Sequence, residues 1–173
     1  MSGEIDINKK LAQALKTAIQ AEFEGQHFYM MAAQSTKDAK GKEIFELLSR
    51  EELDHANYLK GQYKSVIEHG KLDQGLSLGP RATLSIANPI FSDDLRNRIK
   101  EAHYEMTALA VGIQLELGAE KFYRKSSEES DDPLAKKFFA ELADWEAGHY
   151  KALSDQQDAL KEDYWADSGF TPF

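Results

Sequence analysis

Four glutamates and two histidines of this chain occupy positions where helical periodicity calls for an apolar residue. Glu52 and His55 are three residues apart, and so are Glu146 and His149; Glu22 and Glu116 each precede the paired glutamate by 30 residues. A spacing of three puts both side chains of a pair on one helical face. An unpaired carboxylate buried there is costly, and four converging carboxylates repel one another. A cation between them removes both difficulties. Mixed carboxylate and imidazole ligation suits iron or manganese better than thiolate-seeking metals, with zinc left open. One Glu-x-x-His is weak evidence, because both residue types are common on helix surfaces. Two in register, each with a glutamate 30 residues upstream, make a specific signal. The competing reading, a solvated face or a paired polar layer, is disfavoured because buried charge pairs seldom contribute net stability.

Four amphipathic segments carry these residues. The first spans about 8–35, with Leu11, Leu15, Ala18, Glu22, Gly25, Tyr29 and Ala33 recurring in steps of three and four. The second, about 40–69, repeats that spacing at Phe45, Leu48, Glu52, His55, Leu59, Gln62 and Val66. A third begins after Ser92, a suitable N-cap followed by Asp93 and Asp94, and runs unbroken through Leu95, Ile99, Ala102, Met106, Leu109, Ile113, Glu116 and Tyr123. The fourth starts at Pro133 and carries Phe138, Leu142, Glu146, His149, Leu153, Gln156 and Leu160. With no alternating strand pattern, the chain reads as an all-α four-helix bundle. The links at 35–39 and 127–132 are short and make antiparallel hairpins, about 8–69 and about 93–162. A long crossover at 70–92, unusual between neighbouring helices, joins them. An aromatic tail with Tyr164, Trp165, Phe170 and Phe173 is expected at 163–173.

The two hairpins are related. A shift of 94 carries Glu22 onto Glu116, Tyr29 onto Tyr123, Asp38 onto Asp132, Phe45 onto Phe139, Glu52 onto Glu146 and His55 onto His149, without an insertion. This is an internal duplication and implies a pseudo-twofold axis. Each of two metals is then offered one histidine and one terminal glutamate, while two further glutamates are free to bridge.

Composition narrows the function classes. The chain has 173 residues, enough for a single domain. With 30 acidic and 21 basic residues, its net charge of −9 argues against nucleic acid or an anionic membrane surface as partner. Setting the four site glutamates aside leaves 26 acidic residues against 21 basic, an ordinary surface balance. No apolar run approaches the ~18 residues needed to span a bilayer. The first ten residues lack a secretion signal, so a cytoplasmic location is expected. The absence of cysteine excludes disulfides, thiolate metal sites and thiol catalysis.

Glu22, Glu52-x-x-His55, Glu116 and Glu146-x-x-His149 resemble the ligand set of the ferritin-like superfamily, in which two helices each supply a glutamate and two each supply Glu-x-x-His. Within it the chain most resembles the rubrerythrin-like proteins, over about residues 8–162. The resemblance implies a ferritin-like bundle holding two iron ions, with manganese as the alternative, and makes all six residues catalytic metal ligands. Tyr29 matches a rubrerythrin tyrosine that hydrogen-bonds a metal-bound carboxylate, and Tyr123 mirrors it; core packing alone is the competing reading for both. The aromatic ending also resembles that of short members of the group.

Two departures stand out. Rubrerythrins proper carry a rubredoxin domain with four cysteines, so electrons here must come from an external donor such as a rubredoxin or a reductase. They also tend to have a second glutamate three residues after the first on the third helix, where this chain has Ala119. Glu120 is then either an extra carboxylate near the metals or, the favoured reading, an exposed charge. His27, His69 and His103 lie off the stripes and read as surface or helix-end residues, and Trp145 as bundle packing rather than an electron relay. The implied activity is reduction of hydrogen peroxide, or of O2, at the dinuclear site. Oxidation of Fe(II) for storage or detoxification is the alternative, and oxygenase chemistry a third for which no substrate channel is marked. A homodimer is expected, and the long crossover permits exchange of hairpins between chains.

Overall fold

The computed structural model describes residues 2–79 and 89–169, with side chains from residue 8 onward. The long apolar stripes fold into two helical hairpins. Helix α1 (Ser2–Ser35) packs along α2 (Ala39–His69), and α4 (His103–Glu128) packs along α5 (Pro133–Asp167), with α1 also meeting α4. A short helix α3 (Asp93–Asn97) and a 3-10 turn (Ile99–Glu101) precede α4. No strand occurs among the described residues, and the architecture is the all-α, ferritin-like bundle. No described helix is long and apolar enough to cross a membrane.

Duplicated residues do duplicated work at the helix starts. Asp38 accepts a hydrogen bond from the Gly41 N–H (2.8 Å) at the head of α2, and Asp132 accepts one from Leu134 (3.0 Å) at the head of α5. Capping of this kind contributes roughly 0.5–2 kcal/mol each. Asp38 does more than its counterpart, since it also accepts from the Ser92 backbone N–H and hydroxyl. Gln62 and Gln156, another pair related by the shift of 94, clamp the two ends of the crossover. Gln62 bonds the Asp73 backbone at both N–H and C=O (2.8 and 2.9 Å), while the Gln156 carbonyl accepts from Ile90 N–H (2.8 Å).

The apolar side chains form two cores. One contains Tyr29, Phe45, Leu48, Phe91, Leu109 and Leu153; the other contains Leu15, Leu59, Tyr123, Phe138, Phe139 and Leu142. The ring contacts repeat across the axis: Tyr29 stacks on Phe45 and Tyr123 on Phe139, each with centroids 6.3 Å apart.

Two features differ from the sequence expectation. The third segment is not one helix from Ser92. Its i→i+3 bonds, Arg98 N–H to Leu95, Glu101 to Arg98 and Ala102 to Ile99, tighten the chain into a 3-10 turn before α4 begins. This turn keeps Leu95, Ile99 and Ala102 all buried, while Arg98 pairs with both Asp94 (2.7 Å) and Glu101 (2.8 Å) across the break. No glycine or proline marks it. The fourth helix, for its part, does not end near 162 but continues through Tyr164 and Trp165 to Asp167. Nothing breaks it before Gly169, whose φ of 68° takes the left-handed conformation that glycine tolerates. Arg96–Asp163 (2.7 Å) and Lys100–Asp167 (2.8 Å) fasten the added turn to the segment before α4. Phe170 and Phe173 lie outside the described residues.

Candidate metal centre

Between the two cores lies a polar layer to which all four long helices contribute. Glu22 comes from α1, Glu52 and His55 from α2, Glu116 from α4, and Glu146 and His149 from α5. None is more than 4% exposed. The helical period that buries Leu15 and Ala18 on α1 necessarily buries Glu22, and the same holds for Glu52 between Leu48 and Leu59 on α2. The layer is complete within one chain.

The donor atoms fall into two groups that share Glu146. Glu22, His55 and Glu146 can each bring one ligand atom within 4.8 Å of the others, and so can Glu52, Glu116, Glu146 and His149. His55 Nδ1 lies 3.3 Å from Glu22 and 3.2 Å from Glu146. His149 Nδ1 lies 3.5 Å from Glu52, 3.5 Å from Glu116 and 3.6 Å from Glu146. Among the described residues, five buried side-chain polar atoms have no hydrogen-bond partner: Glu52 Oε1, both Glu146 oxygens, His55 Nε2 and His149 Nδ1. Four of these belong to the converging donor set. Orphaned acceptors in a buried layer are what a bound cation would satisfy, so the residues fit a metal pair.

Electrostatics tells the same story. Burial, then repulsion from Glu116, Glu146 and Glu22, pushes the Glu52 carboxyl well above the usual range. Burial raises Glu116 to about 7 against the pull of His149. Burial would raise Glu146 too, but the imidazoles of His149 and His55 close beside it hold it well below the usual carboxylate range. Burial disfavours both imidazolium ions, yet Glu146 and Glu22 raise His55, and Glu116 and Glu146 raise His149. Without metal, the layer retains protons as its source of positive charge.

Tyrosines anchor the terminal carboxylates across the axis. Tyr29 on α1 donates its hydroxyl to Glu116 on α4, and Tyr123 on α4 donates to Glu22 on α1. Burial, reinforced by those carboxylates, raises both phenols well above their ordinary value, so both remain donors. Gly25 packs closely on the layer: a Cβ there would come 3.2 Å from Glu52 Oε2, so the carboxylate would have to shift by a few tenths of an ångström.

Other residues singled out from the sequence lie elsewhere. Glu120 does not join the converging carboxylates; it accepts from Arg124 (3.3 Å) at the outer edge of α4. His27, His69 and His103 are exposed. Trp145 sets its ring nearly perpendicular to His55, with centroids 5.1 Å apart. Behind it lies a cavity of about 340 Å³ bordered by Tyr58, Leu76, Phe138 and Leu142. One residue beside the site escaped the sequence reading: Glu51, whose Oε2 lies 2.8 Å from His149 Nε2. Its position next to Glu52 sets it off the ligand stripe, which hides its role from periodicity.

No curated protein and no solved structure matches the chain. The family model described as rubrerythrin matches residues 13–150, most of the bundle and the whole of the polar layer. The chain belongs to the rubrerythrin family.

Proposed function

We propose that this protein reduces hydrogen peroxide at a pair of iron ions held by Glu22, Glu52, His55, Glu116, Glu146 and His149, with electrons returned by an external donor. The observation that carries the reading is a layer of four carboxylates and two imidazoles, deeply buried, whose donor atoms converge while four of them lack any other partner. Two irons supply the two electrons of the overall reaction, in which H2O2, two electrons and two protons give two waters. Glu146 belongs to both donor groups and would help to hold both ions; Glu52, from the paired position on α2, would hold the ion beside His149. Tyr29 and Tyr123 fix the orientation of Glu116 and Glu22 by donating from Oη, so that these carboxylates would be held ready for the metal ions. The apolar cores on either side of the layer exclude bulk water. Deep burial suits resident metals better than iron in transit, which favours peroxide reduction over iron oxidation for storage.

Anaerobic, iron-loaded protein challenged separately with peroxide and with O2 distinguishes these readings. The expected result is rapid oxidation by peroxide at one equivalent per two irons, repeatable once a reductant is added. Faster reaction with O2, followed by accumulation of iron beyond two per chain, would instead support ferroxidase chemistry.

A further inference from the structure

The pseudo-twofold that relates the ligands fails in the residues directly behind them. The shift of 94 carries Glu51 onto Trp145. Each immediately precedes the glutamate of a Glu-x-x-His pair, and each reaches across to the imidazole of the other hairpin. Glu51 places Oε2 2.8 Å from His149 Nε2, whereas Trp145 sets its ring against His55 at 82°. Both imidazoles turn Nδ1 toward the carboxylates. On the outer side, His149 Nε2 meets a carboxylate, and His55 Nε2 has no hydrogen-bond partner.

An acceptor behind a ligating imidazole fixes its tautomer, locks its orientation and strengthens the lone pair it offers to the metal. Among the described residues, that support is present behind His149 and not behind His55. The donor groups are unequal in the same direction: the one that contains His149 has four residues and the one that contains His55 has three. From these two asymmetries we infer that the metal positions are inequivalent. The one bounded by Glu52, Glu116, Glu146 and His149 fills first and binds more tightly, and Glu51 is the positioning residue responsible. The position bounded by Glu22, His55 and Glu146 is the weaker. Trp145 packs an aromatic ring against His55 where the other copy sets a carboxylate against His149.

The inference rests on the dinuclear reading above, and its test separates the two. Metal-free full-length protein is titrated with Co(II) under anaerobic conditions, following heat and the visible ligand-field bands. Two resolved steps are expected, with one ion bound before the second. Glu51→Gln, close in shape but a weaker acceptor, is expected to weaken the tighter step about 10–100-fold and leave the other within about twofold. Glu51→Asp is expected to restore part of the loss. A second variant, Trp145→Glu, places the missing carboxylate behind His55 and is expected to tighten the weaker step. Circular dichroism of each metal-free variant checks that the bundle has folded. Two steps of equal affinity in the parent, or equal weakening of both in Glu51→Gln, would overturn the inequivalence while leaving the dinuclear site intact. Failure to bind two ions per chain would overturn the dinuclear reading itself.

Discussion

The two hairpins repeat one pattern of residues, and the contrast between them separates what the site requires from what it tolerates. Across the axis the glutamates, the histidines, the Tyr–Glu bonds, the Tyr–Phe stacks and the helix-capping aspartates all match. The six donor residues, and the two tyrosines that bond Glu116 and Glu22, have been kept in both copies. Differences begin one step out. Glu51 faces Trp145, and Gly25 faces Ala119. At the far end, α1 runs as one helix while its counterpart is divided into α3, a 3-10 turn and α4. Two equal half-sites with unequal surroundings can hold two metals of unequal character, and an oxidant that spans the pair then meets two different partners.

Substitutions can break this comparison in order of severity. Glu146 serves both donor groups, whereas Glu22 and Glu116 each serve one. Glu146→Ala should therefore abolish binding of both metals, while Glu116→Ala should remove one preferentially; elemental analysis after iron loading and desalting distinguishes the outcomes. Equal losses in both variants would mean that the groups do not share a ligand.

The tyrosines come next. Tyr29→Phe and Tyr123→Phe each remove a buried hydrogen bond to a carboxylate, a loss of roughly 1.5–3 kcal/mol. Matched falls in the melting temperature of the metal-loaded protein are expected. A fall in one variant alone would extend the asymmetry inward to the ligands' own supports.

Protonation gives a third test, on the metal-free chain. Glu116 binds its proton more tightly when folded, at about 7 against its ordinary value of 4.5. A raised value contributes stability that is full below the unfolded value and is lost as pH rises through the folded one. The span corresponds to an order of 3 kcal/mol. Glu52, His55 and His149 are raised as well, so they act with the same sign. Glu146 is lowered and acts oppositely, but its loss falls in acid, below the usual carboxylate range. Denaturant midpoints of the metal-free protein should thus decline between about pH 5 and 8, and saturating metal should flatten the decline. A midpoint that rises over that window would contradict the proton-holding role of the layer.

The smallest effects are expected at the caps. Asp132→Ala should cost roughly 0.5–2 kcal/mol, and Asp38→Ala more, because Asp38 also holds Ser92 at the end of the crossover. Urea titrations of the two variants make the comparison. Equal costs would show that the Asp38–Ser92 contact contributes nothing measurable.

Much of this arrangement could be read before any coordinates. A three-residue spacing inside an apolar stripe commits Glu52 and His55 to one buried face, and the shift of 94 commits Glu146 and His149 to its mirror image. Tyr29 and Tyr123 lie seven residues after Glu22 and Glu116, two turns along the same face, so their proximity to the layer also followed from periodicity. What periodicity could not reach were contacts made sideways between helices. Glu51 is one residue from Glu52, about 100° around α2, and points toward His149 only because α5 passes there. The signal was present in the duplication, as a glutamate aligned with a tryptophan at the position before each Glu-x-x-His. The break at Arg98–Ala102 stayed hidden for a different reason: its 3-10 bonds preserve the burial of Leu95, Ile99 and Ala102, so the stripe reads as continuous. Helix α5 outran its expected end because nothing breaks it before Gly169, and ion pairs to Arg96 and Lys100 tie its last turn to the segment before α4.

The central claim is that two metal ions sit between these six residues. Anomalous diffraction from crystals of the iron-loaded protein tests it most directly. Two iron peaks are predicted inside the bundle, one at bonding distance from His149 Nδ1 and one at bonding distance from His55 Nδ1, with Glu146 touching both. Iron located only outside the layer, or six side chains still bonded to one another with no peak among them, would contradict the account.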